Sequence, residues 1–440
     1  MVARTLTTLA LAFLVGACAI APPATPVAGP LPVESLDSVA RDYAVLQLAI
    51  GEKEAGYIDA FYGPEALKTE GKALAAASSL AQLSTRADEL SSRIAAMSFL
   101  AGSIENRRVA MLLANLTAAK TRLRMLSGEK LSFDDEAEGL FGVRPQLKPA
   151  SSFDPVLAAV EKLVPGDGPL WKRVDDFQDR FLVANDRLKP VFDAAIAACR
   201  ARTLQHIALP QGERFDLAFV TGKSWGGYNY YQGDYHSKIE INTDLPTRMS
   251  RAVDLGCHEG YPGHHVYSSL LERNLVRGRG WIEFSVFPLY SPQAVIAEGS
   301  ANYGVRMAFP GADRVAFETS TLYPLAGLPP TGATTFDQLG EAMRTLRGAT
   351  MSIQRDLLDG RITEAQAVEL LQKYGLQSEA RARKSVEFAR QYRSYVINYG
   401  LGEQLVADAV EAEPTIAARW KKFEQIIGEP TLPSDLTPRN

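Results

Sequence analysis

Leu36, Val39, Tyr43, Leu46 and Ile50 recur at intervals of three and four residues. That spacing lays one apolar stripe along an α-helix. Val109, Leu112, Leu113, Leu116, Ala119 and Leu123 repeat it. Asp154-Pro155 predicts a capped helix start with proline in the first helical position. Thr363-Glu364-Ala365-Gln366 has the pattern of a capping box. Leu170 to Ala208 is expected to hold one long helix interrupted near Pro190. One segment departs from the helical period. Phe215 to Val220 is apolar enough for a strand, and Lys238, Ile239, Glu240, Ile241 and Asn242 alternate with period two. The pattern therefore predicts a mainly α protein with a small antiparallel sheet around residues 215–242. No repeat of fixed period is present.

Composition narrows the function classes. The chain has 440 residues, with 47 Lys and Arg against 51 Asp and Glu. A formal charge of −4 excludes the basic excess of a dedicated nucleic-acid binder. Three cysteines, Cys18, Cys199 and Cys257, are too few for a disulfide framework. Whether Cys199 and Cys257 pair is left open, and Cys257 reads as a small buried helix residue rather than a nucleophile. The N-terminus carries a targeting signal: Arg4, then an apolar run from Leu6 to Val15 too short to span a bilayer. It ends in Val15-Gly16-Ala17-Cys18, which resembles a bacterial lipobox. The resemblance implies cleavage before Cys18 and lipidation of that cysteine. Ala19 then implies an outer-membrane lipoprotein facing the periplasm. The expected organisation is a signal peptide at 1–17 and a lipidated, proline-rich tether at 18–33. A helical N-terminal region at 34–208 follows, then a region at 209–440 with the small sheet and C-terminal helices. The last two are not expected to fold independently, because no low-complexity linker divides them.

The candidate chemistry lies in the histidines. There are five, and three fall at His258, His264 and His265. A His-Glu pair followed by a second helical histidine is how zincins hold a metal, normally with the spacing H-E-x-x-H. Here Pro262 occupies the place of that second histidine. On a straight helix His258 would lie about 9 Å from His264 and about 10.5 Å from His265 along the axis. Neither pair could share a metal with bonds of about 2.0–2.1 Å. The helix must therefore be broken or bulged between them. Pro262 removes a backbone donor and Gly263 accepts almost any conformation. His264, directly after that glycine, is the first candidate for second ligand. His265 is either an alternative ligand or a residue that holds a ligand in place. Glu298 is the third candidate, within a helix signalled by Ser291-Pro292 and among the apolar residues Val295, Ile296, Ala297 and Ala301. Two histidines, one glutamate and one open position describe a catalytic zinc site.

The run His258-Glu259-x-x-Pro262-Gly263-His264-His265, with Glu298-Gly299-x-Ala301-x-Tyr303, resembles the bacterial family called domain of unknown function 885. Tyr230-Tyr231, Asn242-Thr243-x-x-Pro246 and Asn398-Tyr399-x-x-Gly402 also fit it, and the likeness covers roughly residues 225–405. Ser300 departs from the family's usual tryptophan. Members are often lipoproteins regarded as zinc metallopeptidases of the gluzincin type, so a large helical zincin-like architecture is implied. The resemblance implies zinc on His258, His264 and Glu298. It implies Glu259 as the general base, with Tyr399 or Tyr395 donating to the developing oxyanion. An extended peptide substrate would pair with the strand around Ile239, Glu240 and Asn242, beside Tyr230 and Tyr231. Arg248, Arg251 and Arg393 are candidates for a substrate carboxylate, against the plainer reading of a solvated face. Two other functions fit the same residues: hydrolysis of a cell-wall or small-molecule amide, and a surface lipoprotein whose remodelled site only binds.

Overall fold

The structure is a computed structural model that describes residues 1–2, 34–223 and 225–437. Cys18 and nearly all of the expected signal and tether lie outside the described residues. Leu36–Asn440 forms one compact unit. The fold is mainly helical. No helix among the described residues is long and apolar enough to cross a membrane.

The stripe at Leu36 to Ile50 forms the Leu36–Lys53 helix, with Val39, Tyr43, Leu46 and Ile50 fully buried. The second stripe forms Ile104–Leu126, started by the Ser103 hydroxyl accepting from the Asn106 N–H. Thr363 and Gln366 cap each other reciprocally at the head of Glu364–Tyr374. Two predicted boundaries differ. Asp154 is not a cap: it lies inside the first turn, and its carboxylate accepts from the Tyr374 hydroxyl at 2.9 Å. The expected long helix breaks at residues 179–184 rather than at Pro190, which sits inside the Asn185–Leu204 helix. The cause is tertiary. Val183 and Phe181 pair through their backbones with Thr247 and Met249, which a continuous helix would forbid.

Two small sheets flank the site. In the larger one β2 (Arg214–Val220), β4 (His236–Asn242) and β3 (Gly227–Tyr231) lie in the order β2-β4-β3. The β3–β4 pair is antiparallel as expected, whereas β2 runs parallel to β4. The smaller sheet, absent from the sequence reading, pairs β1 (Ile58–Phe61) with β5 (Val286–Pro288). It joins the N-terminal helices to the rim of the cleft.

Behind the site, the Pro292–Ala308 helix crosses the Ile397–Glu411 helix at Gly299 and Gly402. A Cβ on Gly299 would lie 2.4 Å from the Gly402 carbonyl oxygen, so only glycine permits this approach. Ser291 marks the helix start as expected, but its hydroxyl donates back to Pro288 instead of capping.

Candidate metal centre

The helical segment that begins at Ser250 widens into a π-turn at Gly256–Gly260 and then stops. Tyr261, Pro262 and Gly263 form a non-helical step, and a new helix begins at His264. Gly263 is pressed against the turn it leaves. A Cβ there would lie 1.8 Å from the His258 carbonyl oxygen, and the Gly263 N–H donates to the Cys257 carbonyl at 3.0 Å. The step carries His264 back beside His258, so their Nε2 atoms are 3.1 Å apart. Asn229 on β3 secures the turn from the other side, donating to the Glu259 carbonyl at 2.7 Å. Cys199 and Cys257 form a disulfide that ties the same turn to the Asn185–Leu204 helix. Cys257 is therefore cross-linked rather than a free helix residue.

Glu298 Oε2 faces both imidazoles, 3.3 Å from His258 Nε2 and 3.7 Å from His264 Nε2. Its other oxygen accepts from the Tyr395 hydroxyl at 2.9 Å. The Gly299–Gly402 crossing makes that contact possible, because it brings residues 395–399 over Glu298. Zinc bonds of about 2.0–2.1 Å set tetrahedral donors about 3.3–3.4 Å apart. The three observed separations straddle that value. Glu298 Oε2 is also buried without a hydrogen-bond partner, a costly state for a carboxylate oxygen unless a cation completes it. Burial pushes the Glu298 carboxyl up, but the adjacent His258 and His264 imidazoles outweigh it and hold the group far below its usual range. Burial likewise lowers His264, yet Glu298 outweighs it and raises the imidazole to about 9. The donor spacing and the orphaned Glu298 oxygen together make this donor set fit a divalent metal.

A cleft of about 1500 Å³ opens on this triangle. Glu259, Tyr228, Tyr230, Tyr231, Arg251, Tyr395 and Tyr399 line it. The Glu259 carboxylate reaches the start of β3, where a Cβ on Gly227 would lie 2.9 Å from its Oε1. Burial, reinforced by Glu298, keeps the Tyr395 and Tyr399 phenols protonated well beyond their usual range. Tyr395 is engaged with Glu298. Tyr399 has no hydroxyl partner among the described residues, so it is the phenol placed to donate into the cleft.

Several sequence candidates lie elsewhere. His265 does not face the triangle. Its Nδ1 meets Ser237 at 2.8 Å and its Nε2 meets Glu213 at 3.0 Å, which leaves no ring nitrogen for a metal. Ile239, Glu240 and Asn242 do not offer an edge to a peptide, because β4 is the central strand. Ile239 is core, Glu240 pairs with Lys238 at 2.7 Å, and Asn242 donates to the Lys223 and Trp225 carbonyls. The edge strand at the cleft is β3 instead. Tyr230 lies on its surface against Tyr228, while the Tyr231 hydroxyl is tied to Glu272 at 2.5 Å. Arg393 pairs with Glu136 at 2.5 Å outside the cleft, and Arg248 pairs with Asp175 and Asp179. Ser300 donates to the Ala297 carbonyl and is not part of the cleft wall.

Asp59 on β1 also lines the cleft. Tyr228 donates to it, and burial raises its carboxyl to about 6 against the opposing pull of Tyr228 and His264. Nothing in the local sequence signals that a residue so far from the histidines belongs to the site.

No protein-family model matches the chain. No curated protein matches it significantly. Among solved structures, it is similar to a candidate lipoprotein from Colwellia psychrerythraea, with TM-score 0.52 and 15% identity over 82% of this chain. The chain spans 66% of that protein's length. A candidate lipoprotein of unknown function from Shewanella oneidensis has TM-score 0.43 and 14% identity, covering 89% of this chain and 73% of that one. An M32 carboxypeptidase from Deinococcus radiodurans R1 has TM-score 0.35 and 14% identity, covering 89% and 90%. The first of these likenesses shows a shared fold; the other two are too loose to carry more.

Proposed function

We propose that the chain is a zinc-dependent peptidase anchored at the bacterial cell envelope. One observation carries the reading: His258, His264 and Glu298 converge within 4.8 Å of one another beside a carboxylate that faces the same cleft. When bound there, zinc supplies a Lewis acid that polarises a carbonyl and makes water more acidic. The remaining work falls to the protein. Glu259 takes a proton from the attacking water and delivers it to the leaving amine. Tyr399 donates to the developing oxyanion. The β3 edge, with Tyr228 and Tyr230, holds an extended peptide across the cleft. Tyr395 orients Glu298 and fixes which oxygen is offered to the metal.

The Cys199–Cys257 disulfide agrees with an oxidising compartment, as does the lipobox-like Cys18, for which we propose the lipid anchor. The protein of similar fold from Colwellia psychrerythraea, itself described as a candidate lipoprotein, supports that placement.

The test is metal analysis of the purified protein together with cleavage of a mixed peptide library. One equivalent of zinc and cleavage lost on chelation, then restored by zinc, are expected. Absence of stoichiometric metal would overturn the reading. Tyr395→Phe should bind zinc about 10- to 100-fold more weakly in a competition with a chromophoric chelator. Unchanged affinity would show that the Tyr395–Glu298 contact does not tune the site.

A further inference from the structure

Most arginines of the cleft are already satisfied. Arg306 faces Glu411 at 3.1 Å and Arg347 faces Glu403 at 2.8 Å. Arg314 faces Asp254 at 2.7 Å and Glu318 at 2.9 Å. Arg251 differs. It lines the same cleft, and among the described residues its guanidinium makes neither a hydrogen bond nor an ion pair. Its nearest opposite charges are Asp254, which Arg314 already engages, and Glu259. Arg347 and Arg381 add like charge from neighbouring elements. Five donors on a planar fork are thus held ready in a site that otherwise pairs its cations.

The fold makes room for this group. Arg251, Leu255 and Glu259 lie on the side of the helical segment that faces the start of β3. Two consecutive glycines lie against that face. A Cβ on Gly226 would be 2.4 Å from Arg251 Nη2, and one on Gly227 would be 2.9 Å from Glu259 Oε1 and 2.9 Å from Leu255 Cδ2. Any side chain at these positions would displace the guanidinium or the carboxylate. Because the two glycines are neighbours, Arg251 Nη2 and Glu259 Oε1 lie within about 11 Å, the reach of two or three extended residues.

We propose that Arg251 receives a carboxylate of the substrate, two or three residues at most from the bond being cut. The proposal rests on the peptidase reading for its substrate class. A free C-terminus and an acidic side chain offer the same chemistry to a guanidinium fork, and the experiment separates them.

The intact protein is titrated calorimetrically with three versions of one short peptide. The first has a free C-terminus, the second is its C-terminal amide, and the third is the amide with a glutamate placed within three residues of the cut. Cleavage of each is followed in parallel. Wild type should prefer one carboxylate-bearing peptide over the plain amide by about 10- to 100-fold. Preference for the first identifies the C-terminus as the source; preference for the third identifies a side chain. Arg251→Gln should erase the preference with zinc content unchanged, and Arg251→Lys should retain part of it. Equal binding of all three by wild type, or no binding of any, overturns the proposal. So does a preference that survives Arg251→Gln. An equal fall in turnover of acid and amide in that variant would instead mark Arg251 as a support for Glu259. Failure to cleave any peptide counts against the peptidase reading alone, since the binding ratio still decides the carboxylate site.

Discussion

Glu259→Gln is expected to lower turnover by about 10²- to 10⁴-fold while the protein keeps its zinc. Glutamine matches glutamate in size but cannot accept the proton of an attacking water. The substitution leaves the surroundings in place. The Asn229 amide bonds the Glu259 backbone carbonyl, not its side chain, so the π-turn remains held. The carboxylate has no hydrogen bond to another described side chain, so no structural network is broken by its loss. Turnover measured with zinc content on the same sample separates a lost base from a lost metal. A variant that retains zinc and cleaves as well as wild type would remove Glu259 from the mechanism.

Gly263→Ala should be the most damaging glycine-to-alanine change among the described residues. The added carbon would lie 1.8 Å from the His258 carbonyl oxygen and 2.5 Å from that of Cys257. Both neighbours are backbone atoms of a turn held by a disulfide and by Asn229, so neither can yield cheaply. A loss of at least about 3 kcal/mol is expected, with zinc binding lost in whatever protein still folds. Gly340→Ala is the control. Nothing lies within 4 Å of its added carbon on the Ala333–Leu358 helix. That change should be neutral, or stabilising by about 0.5–1 kcal/mol. Thermal unfolding and zinc stoichiometry of the two variants test the contrast. Equal stability would mean that the step at 261–263 relaxes freely.

These two residues also show how much was legible. The need for a break between His258 and His264 follows from helical rise alone, and Pro262-Gly263 marks its place. Glu298 declared itself as a carboxylate among apolar residues. The helices at 36–53 and 104–126 follow from their stripes. Contacts that depend on distant partners were not readable. Asp59 reaches the cleft only because β1 pairs with β5. Arg393, Arg248 and Arg251 look alike in sequence, and only the positions of Glu136, Asp175 and Asp179 decide that the first two are occupied. The same limit applies to Ile239, Glu240 and Asn242. Alternation identified a strand, but strand order, which local sequence does not encode, put it at the centre of the sheet. His265 was undecided because its partners Glu213 and Ser237 come from segments that pack onto it only in the folded chain.

The ladder between β1 and β5 bears on synthesis. Phe61 leaves the ribosome long before its partner Val286 is made. Until then the strand that carries Asp59 has an open edge, which invites pairing with other chains. The N-terminal helices can collapse around their own apolar stripes, yet the wall they lend to the cleft stays unfinished. A chain truncated before residue 286 should accordingly aggregate more readily than the full chain on refolding, as read by light scattering.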